Sequence, residues 1–195
     1  MPAMLITEAD LLPMADYAKV RVERRRAMTE LKKNRRLEVG PFATFYFECR
    51  ETMLHQVHEM LLIEKGGPAQ IADELAAYNP LIPRGHELVA TVMFEIDDPM
   101  RRARVLATLG GVERTAFVRV GTHRVTGMPE DDQERSRDDG KASAVQFIRF
   151  AFDETAIAAF RADAGDVVVG FGHANYGHMA VMSEAVREAL SRDFD

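Results

Sequence analysis

Between Phe42 and Lys65 the chain reads FATFYFECRETMLHQVHEMLLIEK, and its apolar positions change from a two-residue to a 3.6-residue period. Alternation puts Ala43, Phe45 and Phe47 on one side of a strand and Phe42, Thr44 and Tyr46 on the other, so both faces are expected to be covered. From Arg50 to Lys65, Met53, Val57, Met60 and Leu61 gather on one helical face, and Gly66-Gly67 stops the helix.

The same pattern extends in both directions. A broken apolar stripe predicts a helix from about Pro13 to Asn34, and the strand is expected to run from Leu37 to Glu48. Pro68 opens a helix that reaches Tyr78. Further strands are expected at Leu88–Ile96, Thr115–Val120, Ala144–Phe152 and Val167–Phe171. Helices are expected from Asp97-Asp98-Pro99 to Gly110-Gly111, over Asp153–Ala164, and over Tyr176–Arg192, where Met179, Met182, Val186 and Leu190 form a core-facing stripe. Residues 122–141 are polar and charged after Met128 and read as an exposed, mobile loop. This order is too irregular for a repeated βαβ unit. It predicts a single α+β domain with a mainly antiparallel sheet of about five strands covered by helices.

Composition narrows the class. A chain of 195 residues, 47% of them hydrophobic, can bury a substantial core. No apolar run approaches the ~18–20 residues of a membrane span, and the start lacks the pattern of a secretory signal, so a cytoplasmic protein is expected. The single cysteine, Cys49, excludes an intrachain disulfide framework and an all-thiolate metal site within this chain.

Charge is uneven. Residues 1–40 hold nine Lys/Arg against six Asp/Glu, and with −6 for the whole chain the remaining 155 residues carry −9. Arg24, Arg25, Lys32 and Arg35 belong to the basic stretch and are candidates for binding an anion or a partner. A solvated helix face whose late cations suit the negative helix C-terminus is the preferred reading. No aromatic residue lies between Tyr17 and Phe42 to stack a base, which disfavours nucleic acid.

Candidate chemistry concentrates on the second helix. At 100° per residue from Glu51, His55 falls at about 40° and His58 at about 340°, so the three share a stripe. A carboxylate and two imidazoles at this spacing could hold zinc, iron or manganese, with Glu48 and Glu95 at strand ends as further ligands. The alternative is a polar flank with i,i+4 pairing of Glu51 to His55 and His55 to Glu59. The order His-x-x-His-Glu is not a zincin motif. Phe47-Glu48, Phe94-Glu95 and Phe152-Asp153 each end a strand with an acid, which suits a cap on the next helix as well as a paired carboxylate. GFGHANYGH completes neither a dinucleotide fingerprint nor a P-loop.

The segments RRLEVGP, Phe47-Glu48, Glu59-Met60, AYNPLIP (Ala77–Pro83), LVATVMFE (Leu88–Glu95) and the HANY turn resemble a bacterial family labelled domain of unknown function 3501. Glu48, Glu59, Tyr78, Asn79, Pro80, Pro83 and Glu95 match its pattern. The resemblance implies a single soluble domain without an established activity. It also implies an accessory role beside rubrerythrin-type and iron–sulfur oxidoreductase proteins in oxidative-stress defence. A metalloprotein using the Glu/His cluster of residues 42–65 is the competing expectation.

Overall fold

The computed structural model describes residues 5–130, 141–162 and 165–195. Its helices are α1 (Met14–Lys33), α2 (Arg50–Glu64), α3 (Pro68–Tyr78), α4 (Pro99–Ala107), α5 (Glu154–Arg161) and α6 (Glu184–Ser191). Its strands are β1 (Arg36–Val39), β2 (Ala43–Phe47), β3 (Glu87–Phe94), β4 (Ala116–Val120), β5 (His123–Pro129), β6 (Val145–Ala151), β7 (Val167–Phe171) and β8 (Met179–Val181). Local chemistry sets several helix starts. Asp98 accepts from the Arg101 amide at 2.6 Å, Asp153 from the Ala156 amide at 2.7 Å and Ser183 from the Val186 amide at 3.4 Å. Asp153 is thus the helix cap that its position suggested.

All strand pairings are antiparallel, in the order β1-β2-β3-β6-β5-β4-β7-β8. The two outermost strands, β1 and β8, come side by side, so the sheet is nearly a closed barrel. The expected five-stranded sheet under helices is therefore corrected to an eight-stranded near-barrel. Phe45, Phe47, Leu88, Val92, Val118, Ile148, Phe150, Val169 and Phe171 fill it. Leu106 of α4 and Leu109 just beyond it belong to the same core, as does the cluster of Phe152, Phe160 and Phe194 supplied around α5 and α6.

Three strand assignments moved. The single strand expected over Leu37–Glu48 is a hairpin, because Gly40 takes φ +70° and turns the chain between β1 and β2. Residues 123–129, expected in a loop, form β5, paired to β4 and β6. Its inward row is Val125 and Gly127. A Cβ on Gly127 would lie 2.6 Å from Ile148 Cγ2 and 2.8 Å from Phe150 Cε1, so the missing side chain makes room for its neighbours. The rest of that expected loop, residues 131–140, and the end of the helix expected to reach Ala164 lie outside the described residues. The expected helix over Tyr176–Arg192 begins only at Glu184. Met179, placed in its apolar stripe, is 64% exposed on β8, while Met182, Val186 and Leu190 are buried as expected.

The seam between the first and last strands is held at both ends by side chains. Tyr176 donates its hydroxyl proton to Val39 O at 2.8 Å, and its oxygen accepts from the Phe42 and Ala43 amides at 2.9 and 2.8 Å. Arg35, just before β1, is buried and pairs with Asp193 beyond α6, at 2.5 Å from Nη2 to Oδ2. Its guanidinium also donates to Phe47 O and Glu48 O.

Outside the barrel, Val89 of β3 packs with Ile6, Met53, Leu81 and Ile82 in a second core beneath α2. Helix α1 lies against α2, and α2 against α3. No helix among the described residues is long and apolar enough to cross a membrane.

Replacing Tyr176 with Phe keeps the ring and leaves two amides and a carbonyl at the seam without their partner. The variant is expected to lose about 2–4 kcal/mol in urea denaturation. A midpoint equal to the parent's would mean that ring packing alone holds the seam.

Candidate functional site

The helical layer carries most of the residues that sequence singled out. Met53, Val57 and Leu61 of α2 are buried, which fixes the helix face and turns the opposite flank towards α1. Glu51, His55 and His58 then line one groove of about 290 Å³ with Tyr17, Arg24 and Met28 of α1. The predicted stripe is real. Its chemistry, however, is committed within the protein.

His58 is buried and stacks on Tyr17, with ring centroids 4.5 Å apart. Its Nε2 accepts from the Leu12 amide at 3.0 Å and its Nδ1 donates to Leu54 O at 2.8 Å, an assignment of the proton that follows from those partners. Neither nitrogen is left for a metal. Tyr17 donates to Glu59 Oε1 at 2.9 Å, so the contact of 3.2 Å between Tyr17 Oη and His55 Nδ1 has the imidazole as donor. Arg21 grips Glu59 with both ends of its fork, Nε to Oε1 at 2.9 Å and Nη2 to Oε2 at 2.8 Å. The His55–Glu59 pairing expected along α2 is thus made through Tyr17 of the neighbouring helix.

These contacts shift the groups in ways that suit a latch. The Arg21 guanidinium, with Tyr17, holds the Glu59 carboxyl down at about 2. Burial lowers both His55 and His58, favouring neutral rings, and burial with the Glu59 carboxylate raises the Tyr17 phenol well above its usual value.

The remaining candidates lie elsewhere. Glu48, 5% exposed at the end of β2, points outward from the barrel and accepts from Thr52 and Thr91 hydroxyls, each at 2.6 Å. Glu95 accepts from Thr44 at 2.7 Å and Tyr46 at 2.9 Å, next to the start of β2. Antiparallel pairing of β2 and β3 thus puts the two acids at opposite ends of their strands. The proposed ligands Glu48, Glu51, His55, His58 and Glu95 do not converge, and among the described residues no three His, Cys, Asp or Glu side chains are grouped to hold a metal ion. Burial pushes the Cys49 thiol up to about 11, away from thiolate chemistry.

The basic candidates also separate. Arg24 borders the His55 groove, Arg25 is exposed, Lys32 borders a different cavity over Glu48, and Arg35 is buried against Asp193. Arg35 is therefore a structural residue, not part of an anion site. The AYNPLIP stretch works as a clamp. Asn79 exchanges two hydrogen bonds with the Ile6 backbone, Pro80 O accepts from Arg149, Pro83 is buried, and Tyr78 lines the cavity over Glu48.

Sequence reasoning missed a second feature of this layer. Leu11, Leu12, Met14, Ala18, Leu62 and Ile71 line an apolar groove of about 710 Å³ on the other side of α1, closed at one end by the Lys65–Pro68 turn. Val22 follows Ala18 one turn along the same stripe and is 64% exposed, and Ile63 of α2 is 61% exposed. The signal was present in the apolar residues of LLPMADYAKV, which exceed what a single contact with α2 can cover.

The family described as "Protein of unknown function (DUF3501)" matches residues 5–194. The chain belongs to this family. A crystal structure titled as a novel protein of unknown function from Burkholderia pseudomallei K96243 superposes with a TM-score of 0.91. Its identity is 34%, and the match covers 98% of this chain and 100% of that one. No curated protein matches the chain. The family assignment therefore stands on sequence and fold together, with no activity attached.

The latch has a pH signature. A carboxyl lowered from 4.5 to about 2 contributes stability that is complete above 4.5 and lost as pH falls towards 2. Imidazoles lowered from 6.5 resist protons that the unfolded chain accepts, so stability also falls as pH drops below 6.5. Glu59→Gln is expected to cost about 1–2 kcal/mol at pH 7. It should abolish the loss between 4.5 and 2 that Glu59 causes and keep the loss below 6.5. Urea midpoints across pH 7 to 3 test both limbs, and an unaltered acid limb would remove Glu59 from the latch.

Proposed function

We propose that this chain is a non-catalytic accessory protein that docks an amphipathic helix of a partner protein in the groove beside α1. The carrying observation is the 710 Å³ apolar groove, whose α1 stripe continues from Ala18 to the exposed Val22, in a helical layer where α1 is already latched to α2. Contiguous exposed apolar surface of this kind marks interaction sites more often than catalytic ones. Charge selects the occupant. Arg25 and Arg26 continue the stripe of Ala18 and Val22, are exposed, and form no ion pair among the described residues, so an acidic segment fits beside the apolar one.

The kind of partner follows from family resemblance alone: a rubrerythrin-type or iron–sulfur oxidoreductase in a cytoplasmic peroxide defence. Isothermal titration against a purified rubrerythrin-type protein from the same cell is expected to show binding. Val22→Glu or Arg25→Glu should weaken it at least tenfold, since the first places a charge in an apolar contact and the second reverses a complementary one. Both substitutions are on the surface and should leave the fold intact. Binding that neither variant alters refutes the groove, and absence of binding together with unchanged peroxide sensitivity on gene deletion refutes the accessory role.

A further inference from the structure

The cavity over Glu48 is separate from the docking groove and has a different character. It lies between the outer face of β2, β3 and β6 and the helices α2 and α3, with a volume of about 220 Å³. Glu48 forms part of its lining together with the rings of Tyr46, Tyr78 and Phe147 and the side chains of Met53 and Gln56, while Lys32 borders it from α1.

The acid is unusual in its partners. Glu48 is 5% exposed, and among the described residues its two carboxylate oxygens accept only from the hydroxyls of Thr52 and Thr91, themselves 1% and 6% exposed. Hydroxyl dipoles solvate a carboxylate without neutralising it. Among the described residues no cation lies within ion-pair distance of it. Arg35, just before β1, reaches this region and interacts with Glu48 through its charge, but its guanidinium donates to the carbonyls of Phe47 and Glu48 and to the Asp193 carboxylate, not to the Glu48 carboxylate. A buried negative charge is normally paired, and a carboxylate has about four acceptor positions, so two remain for a further donor.

We infer that this cavity binds a small organic ammonium ion, with the cationic nitrogen against Glu48 and its hydrocarbon portion among the aromatic walls. A largely apolar lining with Met53, Leu81 and Tyr46 beside one carboxylate favours an organic cation over a hydrated inorganic one, because such walls take up the hydrocarbon portion that an ammonium ion carries. A lone carboxylate supplies too few oxygens for calcium or magnesium. Size sets the rest. A cavity of about 150 Å³ holds benzene, so 220 Å³ accommodates an arylalkylamine of roughly ten non-hydrogen atoms. Tyr78 is the wall residue that the AYNPLIP clamp holds in place, and Glu48 follows directly from β2, so both sides of the site rest on rigid elements.

The experiment titrates the intact protein with phenethylamine, 2-phenylethanol and phenylacetate, read by isothermal titration and by ring-current shifts in the protein NMR spectrum. The amine is expected to bind at least tenfold more tightly than the alcohol, and phenylacetate not to bind. Glu48→Gln should weaken the amine at least tenfold and leave the alcohol unchanged. Tyr78→Ala, which keeps Glu48 and its threonines, should weaken both, and it decides the matter if Glu48→Gln does not fold. Equal affinities for amine and alcohol, amine affinity unchanged in the variants, or no binding of any of the three overturns the inference. None of these outcomes depends on the docking groove, whose variants lie on the other side of α1.

Discussion

Two buried side-chain devices, the Tyr176 hydroxyl and the Arg35–Asp193 pair, tie the outer strands of the near-barrel to the rest of the molecule. Antiparallel ladders join β1 to β2 and onward to β8, yet the outer strands meet without a ladder between them among the described residues. Tyr176 bridges that gap at one end by satisfying two amides and a carbonyl of the β1–β2 turn, and Arg35 with Asp193 does so at the other. Both devices are buried and directional, so they fix where β1 sits as well as whether it stays. The outer face of β2 and β3 is then presented at a fixed curvature to α2 and α3, and the cavity over Glu48 depends on that curvature.

The interior was legible where alternation was strong. Ala43, Phe45 and Phe47 face inward and Thr44 and Tyr46 outward, as their order requires, and both faces are covered. Alternation failed where the buried row was sparse. In β5 the inward row is Val125 followed by Gly127, and a glycine that fits because Ile148 and Phe150 fill its space looks in sequence like a loop glycine. In β8, three residues with exposed Met179 and Val181 carry no inward apolar signal, and the nearby Met182, Val186 and Leu190 spacing drew the helix boundary too early. Number of strands and closure are tertiary properties that such short, weakly patterned edges cannot announce.

Site residues divide along the same line. Helical geometry correctly gathers Glu51, His55 and His58, because the angular position of a residue on a helix depends on the helix alone. What the gathered groups do depends on α1, which supplies Tyr17 and Arg21 from 38 to 42 residues away and converts a ligand-like stripe into an interhelical latch. The reverse holds for Glu48. Nothing in the string Phe47-Glu48-Cys49 distinguishes a helix-capping acid from a buried one, and only the arrival of Thr91 from β3 reveals the difference.

The pairing of Arg35 with Asp193 also orders events during synthesis. These partners are 158 residues apart, and Phe194 and Asp195 bridge back to Gly85, with Arg161 holding their carbonyls. At about 5–20 residues per second, Arg35 leaves the ribosome roughly 8–30 s before the residue that neutralises it. Early in that interval β1 and β2 have only each other, and the aromatic row of Phe45 and Phe47 waits for β3 and then for Phe150 and Phe171. Such non-local closure makes for slow folding and an aggregation-exposed nascent chain. The seam between the outer strands therefore forms only after both of its widely separated partners have been made.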